Sequence, residues 1–374
     1  MKRLPGRSCV FFFVAIFPLC IGNALAQQYI FTNNNLAKGA NSTTALTVSG
    51  KGALRVLKTY STGGNGAGSG YFALSPITSA KTRLGTCLFV SNGGDSTIAA
   101  FQMNLFDGSL TAVHGSPFSD GVSGAQHLGV GLAVGGSLLF AGNTNNNSIS
   151  VLRISSSCSL KVLKQVTVRG SPAGMKVTPD GAFLIAAYIG QVDSFKIDAS
   201  TGDLAELGPF TPKGSAAGVD ISCDGTTAYF GDAASHTQVE VFSINSSGEL
   251  KELDNFTNNN GQSSNNVMLS VDGKHLYVSN TMSNQITTLS VGSNGTLTYD
   301  STVKVNKPGV YALGLATGTG LDLFVSEQNN NSSESIGVLT ANGGTLKEVP
   351  GSPFQVMKND SNPAGLTAVP KACN

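Results

Sequence analysis

The amino-acid sequence predicts an all-β chain folded as a seven-bladed β-propeller, with four antiparallel strands in each blade. Three observations predict it. First, the stretch 171–208 holds four short β-candidates, 174–177, 183–188, 192–197 and 204–207, parted by Asp180-Gly181, Gly190-Gln191 and Ser200-Thr201-Gly202. Such turns close hairpins because their residues tolerate positive φ. Second, an apolar strand ending in a polar residue recurs seven times: YIFTN (29–33), LFVSN (88–92), LFAGN (139–143), LIAAY (184–188), AYFGD (228–232), LYVSN (276–280) and LFVSE (323–327). Third, a small-x-Leu turn follows each of them: GAL (52–54), GSL (108–110), CSL (158–160), GDL (202–204), GEL (248–250), GTL (295–297) and GTL (344–346). The leucines are spaced by 56, 50, 44, 46, 47 and 49 residues. That period, with four strands and no helical periodicity inside it, is the signature of a propeller blade. One such sheet alone cannot bury both of its faces.

Taken in order, the strands of a blade run A to D from the axis outwards. The A strand tends to end in a tight turn, as at VTPDG (177–181), ISCDG (221–225) and LSVDG (269–273). The chain begins at Tyr29 on a B strand, and the missing A strand stands at the other end: PAGLTAV (363–369) matches PAGMKV (172–177). Blade 1 is therefore 29–60 plus 363–369, and its closure leaves no free sheet edge at the seam. Blades 2 to 7 span 72–118, 127–170, 172–211, 216–257, 265–305 and 310–354. The runs 61–70 and 258–266, rich in Gly, Asn and Ser, read as connectors between blades. The motif GSPF (115–118 and 351–354), with GPF at 208–210, marks the D-strand end, where its Phe packs between blades.

Residues 1–26, MKRLPGRSCVFFFVAIFPLCIGNALA, read as a secretory signal peptide: a basic start, an apolar run over 10–21 and an A-x-A site before Gln27. The remaining 27–374 form one propeller, expected to be secreted or periplasmic, with no membrane span after cleavage. The chain is 40% hydrophobic and 12% charged, which excludes disorder. Its net charge is +1, and Lys2, Arg3 and Arg7 of the leader supply the positive excess. No basic face points to nucleic acid, and the four arginines after the leader (Arg55, Arg83, Arg153 and Arg169) are a poor stock for a phosphate clamp. An oxidising compartment permits disulfides among Cys87, Cys158, Cys223 and Cys373. Cys87 and Cys373 both lie at the A–B edge of neighbouring blades, so a Cys87–Cys373 bridge is a candidate pair that sequence alone does not fix. Cys158 and Cys223 fall in an outer and an inner turn, too far apart to join.

Chemistry in a propeller gathers where B–C and D–A loops share one face. The B-strand ends place Asn33, Asn92, Asn143, Tyr188, Asp232, Asn280 and Glu327 there, with His236 in a B–C loop. One reading makes Asn33, Asn92, Asn143, Tyr188, Asn280 and His236 a neutral surface for a polar small molecule, a glycan or a protein. The other makes the Asn and Asp residues turn caps. His127, Asp232 and Glu327 are the candidate catalytic residues, as proton carriers. Among the four His, no H-x-H or H-x-x-H spacing suggests a metal. No G-x-S-x-G elbow is present, the glycine run 63–70 opens no helix, and no cofactor is implied. Asn41 and Asn294 head N-x-S/T sequons.

The blade pattern P-x-G-x-x-V-x-P-D-G-x-x-L-x-V-x-N…I-x-x-(F/L)-x-I…G-x-L resembles the lactonase family of seven-bladed propellers, which includes cycloisomerase-2-type 6-phosphogluconolactonases, carboxymuconate cyclases and YVTN-repeat surface proteins. The resemblance covers 29–369 and implies the fold directly. It implies activity only where polar residues stand at particular A-strand starts. There the chain has Pro172-Ala173-Gly174 in place of a His, Ala216-Ala217-Gly218 in place of Arg-His, Ala233 in place of a Glu, and Val310-Tyr311-Ala312 in place of an Arg. A lactone hydrolase needs a charge for the developing oxyanion and a base to position water. Two functions therefore stand: an exported, non-catalytic binding propeller, or a divergent lactone hydrolase.

Overall fold

The computed structural model describes residues 27–36, 39–68, 74–122, 130–188, 190–233, 237–258, 261–305, 310–317, 322–329, 333–358 and 365–370. The leader and Cys373 lie outside the described residues. The described strands form seven antiparallel sheets. Blade 1 holds β1 (Tyr29–Asn33), β2 (Ala40–Val48) and β3 (Leu54–Asn65), with β30 (Gly365–Val369) as its inner strand. Blade 2 holds β4 (Ile77–Thr82), β5 (Gly85–Asn92), β6 (Thr97–Met103), β7 (Leu110–Ala112) and β8 (Phe118–Ser119). Blade 3 holds β9 (Val130–Gly135), β10 (Leu138–Asn143), β11 (Ser148–Ile154) and β12 (Leu160–Thr167). Blade 4 holds β13 (Pro172–Val177), β14 (Phe183–Tyr188), β15 (Gln191–Ile197) and β16 (Leu204–Glu206). Blade 5 holds β17 (Ala216–Ile221), β18 (Thr227–Asp232), β19 (Thr237–Ile244) and β20 (Leu250–Asn258). Blade 6 holds β21 (Ser264–Leu269), β22 (His275–Asn280), β23 (Gln285–Val291) and β24 (Leu297–Lys304). Blade 7 holds β25 (Val310–Thr317), β26 (Asp322–Asn329), β27 (Ser333–Asn342), β28 (Thr345–Glu348) and β29 (Phe354–Lys358).

The ring closes through the inner strand: β30 pairs antiparallel with β1, Tyr29 opposite Val369 and Asn33 opposite Gly365. The core lies between blades. Each of the seven apolar clusters joins two consecutive sheets, including blade 7 to blade 1 through Phe324, Val338, Ile30 and Leu366. This explains the unbroken apolar B strands. In β5, Leu88 and Val90 face blade 1 while Phe89 faces blade 3, so both faces of the pleat are buried.

Two stretches differ from the sequence reading. Ser61–Asn65 is strand, because β3 runs on along β2 as far as Ala40 opposite Asn65. The GSPF motif interrupts the outer strand without ending it. After a cis Ser116-Pro117 bond, β8 resumes pairing with β6, and after a cis Ser352-Pro353 bond, β29 resumes on β27. Phe118, Phe210 and Phe354 pack on inter-blade clusters, as the motif predicts.

The small-x-Leu turns do more than reverse the chain. Their first residue has φ between +73° and +87° in the six glycine cases and +68° at Cys158. Each turn presses on the preceding blade: a Cβ on Gly248 would lie 2.2 Å from Cδ1 of Phe183, and one on Gly108 would lie 2.4 Å from Cδ1 of Tyr29. In blade 3 the same position is Cys158, and what it meets is Cys87, at the B strand of blade 2. The two form a disulfide, with Cα atoms 5.5 Å apart. The candidate Cys87–Cys373 bridge is therefore corrected to Cys87–Cys158. Cys223 is disulfide-bonded too.

Two outcomes follow from these turns. Gly181 also has positive φ, but no atom stands within 4 Å of its added Cβ. G181A is expected to cost about 1 kcal/mol, for the left-handed backbone alone. G248A adds overpacking against Phe183 and costs about 2–4 kcal/mol; urea unfolding of both variants separates the terms. Replacing Cys87 by Ala together with Cys158 by Gly keeps the turn and opens a cross-link across 71 residues. Loop entropy sets the expected loss at about 4 kcal/mol, read by the same melts with and without reductant.

Candidate functional site

The B-strand ends do not form an open ligand face. Asn33, Asn92, Asn143, Tyr188, Asp232, Asn280 and Glu327 are all buried, none more than 2% exposed. Most reach a polar side chain on the next strand of the same blade. Asn92 Nδ2 donates to Thr97 Oγ1 (3.0 Å), Asn143 Nδ2 to Ser150 Oγ (2.9 Å), and Asn280 Nδ2 to Thr287 Oγ1 (2.8 Å). Asn33 Oδ1 accepts from Asn41 Nδ2 (2.9 Å), and Asn33 Nδ2 crosses to the Ser91 carbonyl of blade 2 (2.8 Å). Asn41, the sequon residue, is fully buried in this network, which leaves no room for a glycan there. The Asn-rich loops have a conformational cause as well: Asn35, Asn147 and Asn284 hold positive φ, which Asn tolerates.

The two carboxylates expected to act as bases are walled in. The carboxylate of Glu327 lies over the glycine of β27: a Cβ on Gly337 would come within 2.4 Å of its Oε1. Its Oε2 stands 3.5 Å from Ser335 Oγ. Asp232 Oδ1 accepts from the Ser215 amide (2.8 Å), and Gly214 is packed so closely that a Cβ would overlap Oδ2. Beside it, Glu240 is 1% exposed and accepts from the amides of Lys213 (2.9 Å) and Gly214 (2.7 Å). Three successive amides of 213–215 thus clamp two buried carboxylates and fix the approach to β17. His127 and His236 lie outside the described residues.

At the B–C end, described inner strands approach one another closely. Leu74, leading into β4, donates its amide to the Ala173 carbonyl of blade 4 (3.1 Å), passing over Gly131 of blade 3. A Cβ on Gly174 would lie 2.3 Å from the Ala217 carbonyl, and one on Gly218 2.6 Å from that of Asn265. Main chain, not side chain, meets main chain here. Ala173, Ala216 and Ala217 are buried, so this end carries small apolar groups where the resemblance calls for His and Arg.

The opposite end of the channel is open. Between the A–B turns lies a cavity of about 510 Å³, lined by the inner strands of all seven blades. Sequence reasoning missed it, since its lining comes from strand ends that read only as turns. Lys81, Lys176, Asp180 and Asp220 bring charge, Ser79 and Thr317 bring hydroxyls, and Pro179 and Met268 bring apolar surface. Lys176 Nζ stands 2.7 Å from Asp220 Oδ1, and Asp220 Oδ2 accepts from the Leu269 amide (2.8 Å), so one carboxylate ties blades 4, 5 and 6 together. At the rim, Asp180 Oδ1 accepts from Thr178 Oγ1 (2.6 Å) and the Ala182 amide (3.0 Å), which holds its carboxyl below the usual range. Among the described residues no group of three or more His, Cys, Asp and Glu is set to hold a metal.

Burial pushes the Glu240 carboxyl above its usual range, the amides of Lys213 and Gly214 oppose this, and the negative charges of Asp232 and Glu252 add to it. A raised folded value means stability that is full below the ordinary glutamate range and lost as pH rises through the raised value. The thermal unfolding temperature is therefore expected to fall as pH climbs just above that range, and to fall less in E240Q.

The family description that matches this sequence is "Lactonase, 7-bladed beta-propeller", over residues 38–221 and 221–349. No curated protein matches the chain in sequence. Among solved structures it is similar to a candidate 6-phosphogluconolactonase from Bacteroides fragilis, with TM-score 0.72, 19% identity, and 92% of this chain and 98% of that one covered. It is also similar to the periplasmic gluconolactonase of Pseudomonas aeruginosa, with TM-score 0.67, 18% identity, and 91% and 99% covered. A protein from Lactobacillus plantarum gives TM-score 0.67, 17% identity, and 91% and 98% covered. At these identities the structural likeness speaks for the fold, and the family description matches most of the length: the chain belongs to the lactonase family of seven-bladed β-propellers.

Proposed function

We propose that this chain is an exported, non-catalytic member of the lactonase family that binds a polar small molecule. One observation carries the reading. At the B–C end of the channel, where the resemblance calls for His and Arg, the inner strands offer Ala173, Gly174, Ala217 and Gly218, pressed against neighbouring backbones. No described cation stands there to take up an oxyanion, and Asp232 and Glu327 are sealed from water. A lactone needs both a charge and a base at the same carbonyl. Fold alone does not supply them.

Export is supported by the leader-like sequence of 1–26 and by the Cys87–Cys158 disulfide, since such bonds persist in oxidising compartments. The buried Asn ring argues against a glycan or protein docked on those residues, and the open cavity favours a small molecule.

The test is hydrolysis of a lactone panel that includes 6-phosphogluconolactone and glucono-lactone, with a glycan array run beside it. The expected result is no turnover above the uncatalysed rate. Turnover that disappears in His127→Ala would establish the lactone hydrolase instead.

A further inference from the structure

We propose that the axial cavity is a binding site for a small monocarboxylic acid with a short carbon chain, its carboxylate held by Lys176 and steered by Lys81. The inference rests on the reading of the chain as a binding propeller and names the site and ligand class for it.

Size comes first. A cavity of about 510 Å³ falls within the range of roughly 300–1,000 Å³ typical of small-molecule sites. It lies at the A–B turns, among the inner strands of all seven blades. Small residues make the room: Ser79, Ala133, Gly135, Ala316 and Ala368 stand on the blades facing Lys176 and Asp220.

The sign of the ligand follows from counting donors and acceptors. Asp220 lines the cavity but its oxygens are committed: Oδ1 takes Lys176 Nζ (2.7 Å) and the Ile221 amide (3.0 Å), and Oδ2 takes the Leu269 amide (2.8 Å). An ammonium carries three N–H donors. Lys176 uses one of them on Asp220, and its side chain is 43% exposed to the cavity. Lys81 is exposed and forms no ion pair among the described residues. The inner wall therefore offers donors in excess, and charge-assisted bonds from an ammonium to a carboxylate are among the stronger ones available.

Two features limit that ligand to one negative charge and some carbon. Asp180 at the rim is held ionised by Thr178 and Ala182 and repels a second anionic group. Asp180 and Asp220 offset the two lysines, so the site holds one carboxylate through directed ammonium donors and lacks the surplus charge that a polyanion needs. Val134, Pro179 and Met268 bring the accessible apolar surface, which suits an alkyl chain and not a bare inorganic ion.

The probe is sodium hexanoate, titrated calorimetrically into the full chain at low ionic strength, beside 1-hexanol and inorganic phosphate. Hexanoate is expected to bind saturably at one site, at least tenfold tighter than hexanol, with no phosphate binding. Affinity is expected to fall at least fivefold in Lys176→Gln and about twofold to threefold in Lys81→Gln, which touches no ion pair. Ser79→Phe fills the cavity from blade 2 without altering its charge and is expected to abolish binding. Thermal melts establish that each variant is folded, and Lys81→Gln and Ser79→Phe carry the test if Lys176→Gln is not. The proposal is overturned by no saturable hexanoate binding to folded wild-type protein, by equal affinity for hexanol or phosphate, or by binding that survives Ser79→Phe. The lactone panel is run on the same preparations. Turnover there, untouched by Ser79→Phe, overturns the non-catalytic reading and leaves this site standing on its own titration.

Discussion

Every blade of this protein is a sheet with two apolar faces, and neither face can be left in water. Burying Leu88 and Val90 on one side and Phe89 on the other requires a neighbour on each side of the same strand. That requirement propagates from sheet to sheet and ends only when the first meets the last. The pairing of β30 with β1 satisfies it, because the inner strand of blade 1 comes from the far end of the chain. The main-chain contacts at one end of the channel, the cavity at the other and the clamps on buried carboxylates are all consequences of inner strands brought together around one axis.

Much of the fold was legible because its repeat is written in residue types with direct physical jobs. Apolar runs mark strands buried on both faces, Asp-Gly marks tight turns, and the glycine of small-x-Leu marks a left-handed residue. The Cys pairing was not legible from position within a blade. Cys87 and Cys373 share an edge in sequence terms, yet an outer turn leans across the gap onto the preceding B strand, and that brings Cys158 to Cys87. One signal was available: Cys158 occupies the slot that is glycine in every other blade, where a left-handed backbone and contact with the preceding sheet both favour a small residue.

The candidate site was the least legible part. A polar residue at the end of an apolar strand looks the same whether it meets solvent or a Thr one strand away. The discriminating residues were Thr97, Ser150 and Thr287 on the C strands, whose hydroxyls take up Asn92, Asn143 and Asn280. Strands that are buried on both faces carry these hydroxyls only if something needs them. The cavity eluded sequence reasoning for a different reason. Its walls combine residues from seven segments spread over the chain, none of which forms a motif by itself. What the sequence did carry was the absence of His and Arg at the blade-4 and blade-5 inner strands, and the packing of Ala173 and Ala217 explains why such side chains would not fit between those backbones.

The slot filled by Cys158 also bears on how such a ring can be reinforced. The seam between blades 2 and 3 is riveted by a cysteine in the slot that is glycine in the other blades, opposite a B strand. The same juxtaposition recurs at Gly108 with Tyr29, Gly248 with Phe183 and Gly295 with Thr227. Each is a ready position for a further covalent rivet between adjacent blades, placed at the outer turns and remote from the axial cavity. The ring is thus a modular frame whose seams can be locked one at a time, and whose stiffness can be tuned without touching the space at its centre.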